Sequence, residues 1–96
     1  MIYVPDHEKL DAIKATGTSG SVLSRLIGPY HLSVIYRQCS AMMASDHWYP
    51  ESAIWKGNEW CYQGEGWASF LHLANNLNTM EEVEHFLAVI NEPDND

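Results

Sequence analysis

The sequence predicts an α+β fold: a single domain over residues 1–96 in which a small antiparallel sheet packs against a C-terminal helix. Three observations carry that expectation. Leu32, Val34 and Tyr36 alternate with His31, Ser33 and Ile35; two aromatic runs flank Gly57-Asn58; and Val83, Phe86, Leu87 and Ile90 recur at helical spacing. With 46% hydrophobic and 19% charged residues, the 96-residue chain can build one modest core and is too apolar for disorder.

The elements follow in order. Asp6 is placed to cap a short helix whose stripe is Leu10 and Ile13 and whose stop is Gly17. Ser21 is placed to cap a second short helix carrying Val22, Leu23, Leu26 and Ile27, ended by Gly28-Pro29. One or two short N-terminal helices are therefore expected. Residues 31–37 form the first strand, 38–45 suit either a strand or a helix, and 46–52 read as a loop because Pro50 forbids a helix there.

Gly57-Asn58 is the pair a two-residue hairpin turn requires, so 53–63 is expected to fold back on itself. Counting outward pairs Lys56 with Glu59, Trp55 with Trp60, Ile54 with Cys61 and Ala53 with Tyr62, which puts Trp55, Trp60 and Tyr62 on one face. Residues 68–74 are a possible further strand. Thr79 and Glu82 form a capping box that opens the C-terminal helix, near 80–91.

Charge is laid out asymmetrically. Thirteen Asp and Glu against five Lys and Arg give −8, yet residues 1–56 are balanced. The whole excess lies after Lys56, where Glu59, Glu65, Glu81, Glu82, Glu84, Glu92, Asp94 and Asp96 meet no Lys or Arg. Such a half repels polyanions and attracts basic surfaces. On a helical wheel with the apolar stripe facing inward, Glu81, Glu84 and Glu92 form an outward ridge with Glu82 at its flank. Together with Trp55 and Trp60, these are the expected partner-binding residues.

Other chemistries find little support. Gly64-Glu-Gly-Trp lacks a third glycine for a phosphate loop, and Cys39, His47, Cys61 and His72 show no zinc-type spacing. Cys61 reads as a buried thiol rather than a nucleophile. No catalytic, cofactor or metal residue is therefore assigned. Bases stacked on Trp48, Tyr49, Trp55, Trp60, Tyr62 and Trp67 would need more cations than Lys56 and Arg37 supply. The start has no basic segment followed by a long apolar run, and the two cysteines read as reduced thiols, so a cytoplasmic protein that does not engage membranes is expected.

Asp11 to Ile27 resembles the helix-turn-helix of LacI-type repressors, with Asp11, Lys14, Gly17, Ser19, Ser24 and Arg25 where that pattern places them. The resemblance implies a DNA-binding regulator using residues 11–27. It covers 17 residues, and Gly20 and Ser21 depart from a good recognition helix. In size and charge alone the chain is similar to phage anti-defence inhibitors, anti-CRISPR and anti-restriction proteins among them, and to immunity proteins. The leading expectation is thus a non-enzymatic acidic protein that occludes a basic surface of a protein or nucleoprotein complex, probing no nucleic acid directly. A helix-turn-helix regulator and a minor structural subunit are the alternatives.

Overall fold

Tyr30, Leu32, Val34 and Tyr36 all point to one side of one strand, and everything else in the fold is arranged to cover that side. A computed structural model describes residues 4–38 and 47–91. The order is α1 (His7–Thr16), β1 (Gly20–Ile27), β2 (Tyr30–Gln38), β3 (Trp48–Lys56), β4 (Glu59–Glu65), α2 (Trp67–Asn76) and α3 (Met80–Ile90). The strands form an antiparallel meander, β1-β2-β3-β4, so the α+β expectation is met. Of the stretch 38–45 only Gln38 is described, at the end of β2; residues 39–45 lie outside the described residues.

α1 starts and stops as its sequence dictates. The Asp6 carboxylate accepts the Glu8 and Lys9 N–H groups at 3.1 and 3.2 Å, and Gly17, at φ 71°, returns its N–H to Lys14 O. Its apolar face is Leu10 and Ile13, and Ile13 lies so close to Gly20 that a Cβ there would meet it at 3.0 Å.

The expected second helix is instead β1. β2 buries Leu32, Val34 and Tyr36 and needs a hydrogen-bonded neighbour on each side; β1 supplies one, and tertiary pairing overrides local helical spacing. Gly28-Pro29 is accordingly a hairpin turn. Gly28 at φ 58° followed by a proline suits the type II′ geometry that matches strand twist. The helix-turn-helix geometry is therefore not formed.

Residues 48–52, expected to be loop, begin the inner strand β3. Proline is rare inside a sheet because it cannot donate. Here the Pro50 carbonyl accepts Gly66 N–H at 2.9 Å, and the Gly66 carbonyl accepts Phe70 N–H at 3.2 Å, opening α2. Lacking an N–H, Pro50 leaves that glycine carbonyl to the helix.

Residues 68–74 are helix, not strand. Phe70, Leu73, Ala74 and Leu77 are buried at i, i+3, i+4 and i+7, a helical stripe that seals the sheet face. α3 opens on Thr79, whose hydroxyl oxygen accepts Glu82 N–H at 3.2 Å, and it buries Val83 with Phe86 and Leu87 packed beside it. Ile90, expected in that stripe, is 42% exposed and lies outside the core cluster that Phe86 and Leu87 join.

The hairpin follows its expected turn and first two pairs, Lys56 with Glu59 and Trp55 with Trp60. Gly57 has φ 61° and Asn58 a negative φ, again a type II′ pattern. Beyond Trp60 the register slips. Ile54 pairs with Tyr62 and Ala53 with Gln63, leaving Cys61 as a bulge residue, so the expected pairs of Ile54 with Cys61 and Ala53 with Tyr62 do not occur.

Candidate binding surface

All three helices lie on one side of the sheet, and no other described residues cover its second face. That bulge sorts the aromatic residues between the two sides. Tyr62 turns inward, its ring edge-on to Phe86 at 5.0 Å, whereas Trp55 and Trp60 stay outside with ring centroids 6.2 Å apart and planes 24° from parallel. The expectation that Tyr62 shares their face is thus corrected. Trp48 and Trp67 also belong to the helix side, each against Tyr36 at 5.6 and 6.0 Å. The six aromatics considered as a stacking platform therefore do not form one surface.

Trp55 and Trp60 are 37% and 53% exposed. They are nevertheless held in place: Trp60 Nε1 donates to the Tyr62 carbonyl at 3.0 Å, and each indole braces the other. Beside them Ser33 and Ala53 are too small to fill the sheet surface. The result is a trough of about 280 Å³, walled by Trp55, Trp60 and Ile35 and closed toward its far end by Glu51 and Gln63.

Around the trough, Leu26 is 77% exposed, Ser24 Oγ lies 2.7 Å from His31 Nε2, and Arg37 Nη1 donates to Glu51 Oε2 at 2.9 Å. Glu51 also stands directly opposite Glu65 in the ladder. Exposed Trp, Leu and Ile on an uncovered sheet face form the kind of patch that marks a contact site. Leu26 and Ile35 were not anticipated as part of it; Ile35 alternates outward in β2, but its exposure depends on the opposite face being the covered one.

The acidic helix is less uniform than its wheel implies. Glu81 is exposed at the rim of a groove between α2 and α3, near His72 and His85. Glu82 is engaged at the helix start, where Oε1 accepts from the Thr79 hydroxyl and from Asn78 N–H at 3.2 and 3.3 Å. Glu84 accepts the Tyr30 hydroxyl at 3.3 Å, and burial, with this carboxylate beside it, holds that phenol above its ordinary value. Glu92 lies outside the described residues. The structure does not bring Glu81, Glu82 and Glu84 together with Trp55 and Trp60, which are on the opposite side of the sheet.

Arg25, which the repressor resemblance would turn toward DNA, points into the helix layer. Its Nη1 donates to the carbonyls of Ala74 and Leu77 and to Asn78 Oδ1 at 3.2 to 3.4 Å, satisfying the C-terminal end of α2. Among the described residues no group of three or more His, Cys, Asp or Glu is disposed to hold a metal ion, and no helix is long and apolar enough to cross a membrane. Comparison of the chain with protein-family models, with curated proteins and with solved structures finds no match.

Proposed function

We propose that this is a non-enzymatic, cytoplasmic binding protein whose open sheet face seats on a basic region of a protein partner, or of the protein part of a nucleoprotein complex, and occludes it. The observation that carries the reading is the pre-positioned pair Trp55 and Trp60 on a sheet face that no described element covers. Aromatic anchors of this kind supply most of the affinity at protein interfaces. The net charge of −8 supports a basic partner, because long-range attraction raises the encounter rate even where the carboxylates make no direct contact. Glu81 and Glu84 contribute to that field from the helix side, and Glu92 adds to the net charge. An inhibitor of the anti-defence or immunity type is the finer form of the proposal, resting on size and charge.

The test compares three proteins as bait in native cytosol at low and high salt: wild type, Trp55→Ala/Trp60→Ala, and Glu81→Lys/Glu84→Lys/Glu92→Lys, each checked for folding by circular dichroism. The expected result is a basic protein captured by wild type, lost with the double tryptophan variant, and captured more slowly and with a flatter salt dependence by the charge-reversed one. Equal capture by all three overturns the reading.

A further inference from the structure

We infer that the trough beside Trp55 and Trp60 receives one arginine side chain of the partner, its methylenes against the indoles and its guanidinium toward Glu51 and Glu65. The inference rests on the binding reading above and names the chemistry that its surface selects.

The hairpin presents three cross-strand pairs in succession on the open face: Trp55 with Trp60, Ala53 with Gln63, and Glu51 with Glu65. Alternate residues of a strand stand about 6.6 Å apart, so a side chain whose stem lies over the Ala53 floor, beside the indoles, brings its head to the level of Glu51, with Glu65 across the ladder from it. A side chain with an apolar stem and a cationic head matches that gradient. The volume, about 280 Å³, is suited to one long side chain rather than to a folded element.

The acidic end carries an electrostatic cost within the protein itself. Glu51 and Glu65 are directly opposed like charges, which weakens a sheet. Arg37 bonds Glu51 through Oε2 alone, so one carboxylate charge of the pair remains in excess. The other cations of the chain are elsewhere: Arg25 holds the end of α2, Lys56 lies over the Tyr30 ring at 5.8 Å on the helix side, and Lys9 and Lys14 are on α1. An incoming guanidinium neutralises the one carboxylate charge of the pair that Arg37 leaves in excess.

The acidic end favours arginine over lysine. A guanidinium is planar and donates to two acceptors at once, here the Glu65 or Glu51 carboxylate and the Gln63 amide oxygen, whereas an ammonium is a single point of charge. Because Trp60 is already fixed by its bond to the Tyr62 carbonyl, little side-chain ordering is left for the binding step. A second copy of this chain is the poorer occupant, since it carries the same net charge of −8 and would set a second Glu51–Glu65 pair against the first.

The experiment titrates the full ¹⁵N-labelled chain with acetyl-Gly-Arg-Gly-amide, and with its citrulline and lysine counterparts, following the indole N–H resonances of Trp55 and Trp60. The arginine peptide is expected to move both in a saturating manner, with a dissociation constant on the order of millimolar for so small a probe. Citrulline, equal in shape but uncharged, should bind about tenfold more weakly, and lysine in between. Glu65→Gln, an exposed substitution, should weaken the arginine peptide about threefold and leave the citrulline peptide unchanged. Equal binding of arginine and citrulline peptides overturns the inference, as does an unmoved pair of indoles. So does peptide-independent broadening of both indoles that grows with protein concentration, which would make the face a homodimer contact. Tryptophan-dependent capture of a basic partner without arginine selectivity would remove this inference and leave the binding reading standing; arginine selectivity without such capture would do the reverse.

Discussion

The guanidinium of Arg25 on β1 stands 3.4 Å from the carbonyl oxygen of Leu77, the residue that ends α2. The same Nη1 donates to Ala74 O and Asn78 Oδ1, and Asn78 in turn donates through N–H to Glu82 of α3 and through Nδ2 to Asn75 O. One edge-strand cation thereby holds the junction of two helices, satisfying carbonyls that the helix geometry leaves without partners.

Arg25→Ala should therefore destabilise the fold by about 2 kcal/mol, the magnitude of a lost charge-assisted bond at a partly buried helix end. Arg25→Lys should recover roughly half, since an ammonium keeps the charge but not the fork. Urea unfolding followed by far-ultraviolet circular dichroism measures both. A change within experimental error for alanine would mean that the cap is ornamental.

Gly28 and Gly57 occupy equivalent places in their two hairpin turns, at φ 58° and 61°. Alanine at Gly57 meets nothing within 4 Å and should cost only the left-handed backbone, about 1 kcal/mol. At Gly28 the added Cβ would come 2.9 Å from Met80 Sδ, so Gly28→Ala should cost about 1 kcal/mol more. Repeating Gly28→Ala in a Met80→Ala background should bring its cost down to that of Gly57→Ala. A cycle showing no coupling would refute the contact.

Ser52 is wholly buried in β3, and its Oγ has no hydrogen-bond partner among the described residues. Burying an unpaired hydroxyl is unfavourable, and removing it relieves that penalty. Ser52→Ala should leave the fold intact and raise its stability by up to about 1 kcal/mol, seen as a higher urea midpoint at unchanged slope. A loss of stability would show that the hydroxyl is bonded in solution.

Tyr30 predicts an alkaline effect of definite sign. Burial, and then the Glu84 carboxylate, raise its phenol above the ordinary value of 10.0. Above that value the unfolded chain releases the proton while the folded chain keeps it, so stability is fully present below 10.0 and declines as pH rises toward the raised folded value. Tyr30→Phe lacks this contribution to the slope. The difference in urea midpoint between wild type and Tyr30→Phe should shrink from about pH 9 to pH 11, and a pH-independent difference would show that the hydroxyl's environment is not as described.

Much of the architecture was legible locally. Asp6 and Gly17 delimit α1, Thr79 opens α3, alternation marks β2, and Gly57-Asn58 makes the turn that sets Trp55 against Trp60. Each of these is decided by a few neighbouring residues, through a cap, a positive φ or a pleat. Within the candidate surface, Trp55 and Trp60 were identifiable for the same reason, and Glu65 was visible only as one charge among many.

What the tertiary structure alone decided is which partner each ambiguous segment would take. Residues 20–27 carry both a helical stripe and β-branched residues, and they became a strand because β2 lacked a neighbour on that side. Residues 67–76 alternate weakly and also repeat at helical spacing, and they became a helix because the sheet face above Leu32 and Ile54 had to be covered. The Cys61 bulge turned Tyr62 inward toward Phe86 and left the two tryptophans outside. By itself the sequence determined the chain's caps, turns, β2 alternation and charge. Which face is open, and hence what can bind there, is a property of pairing and packing between residues far apart in the chain, which no local preference encodes.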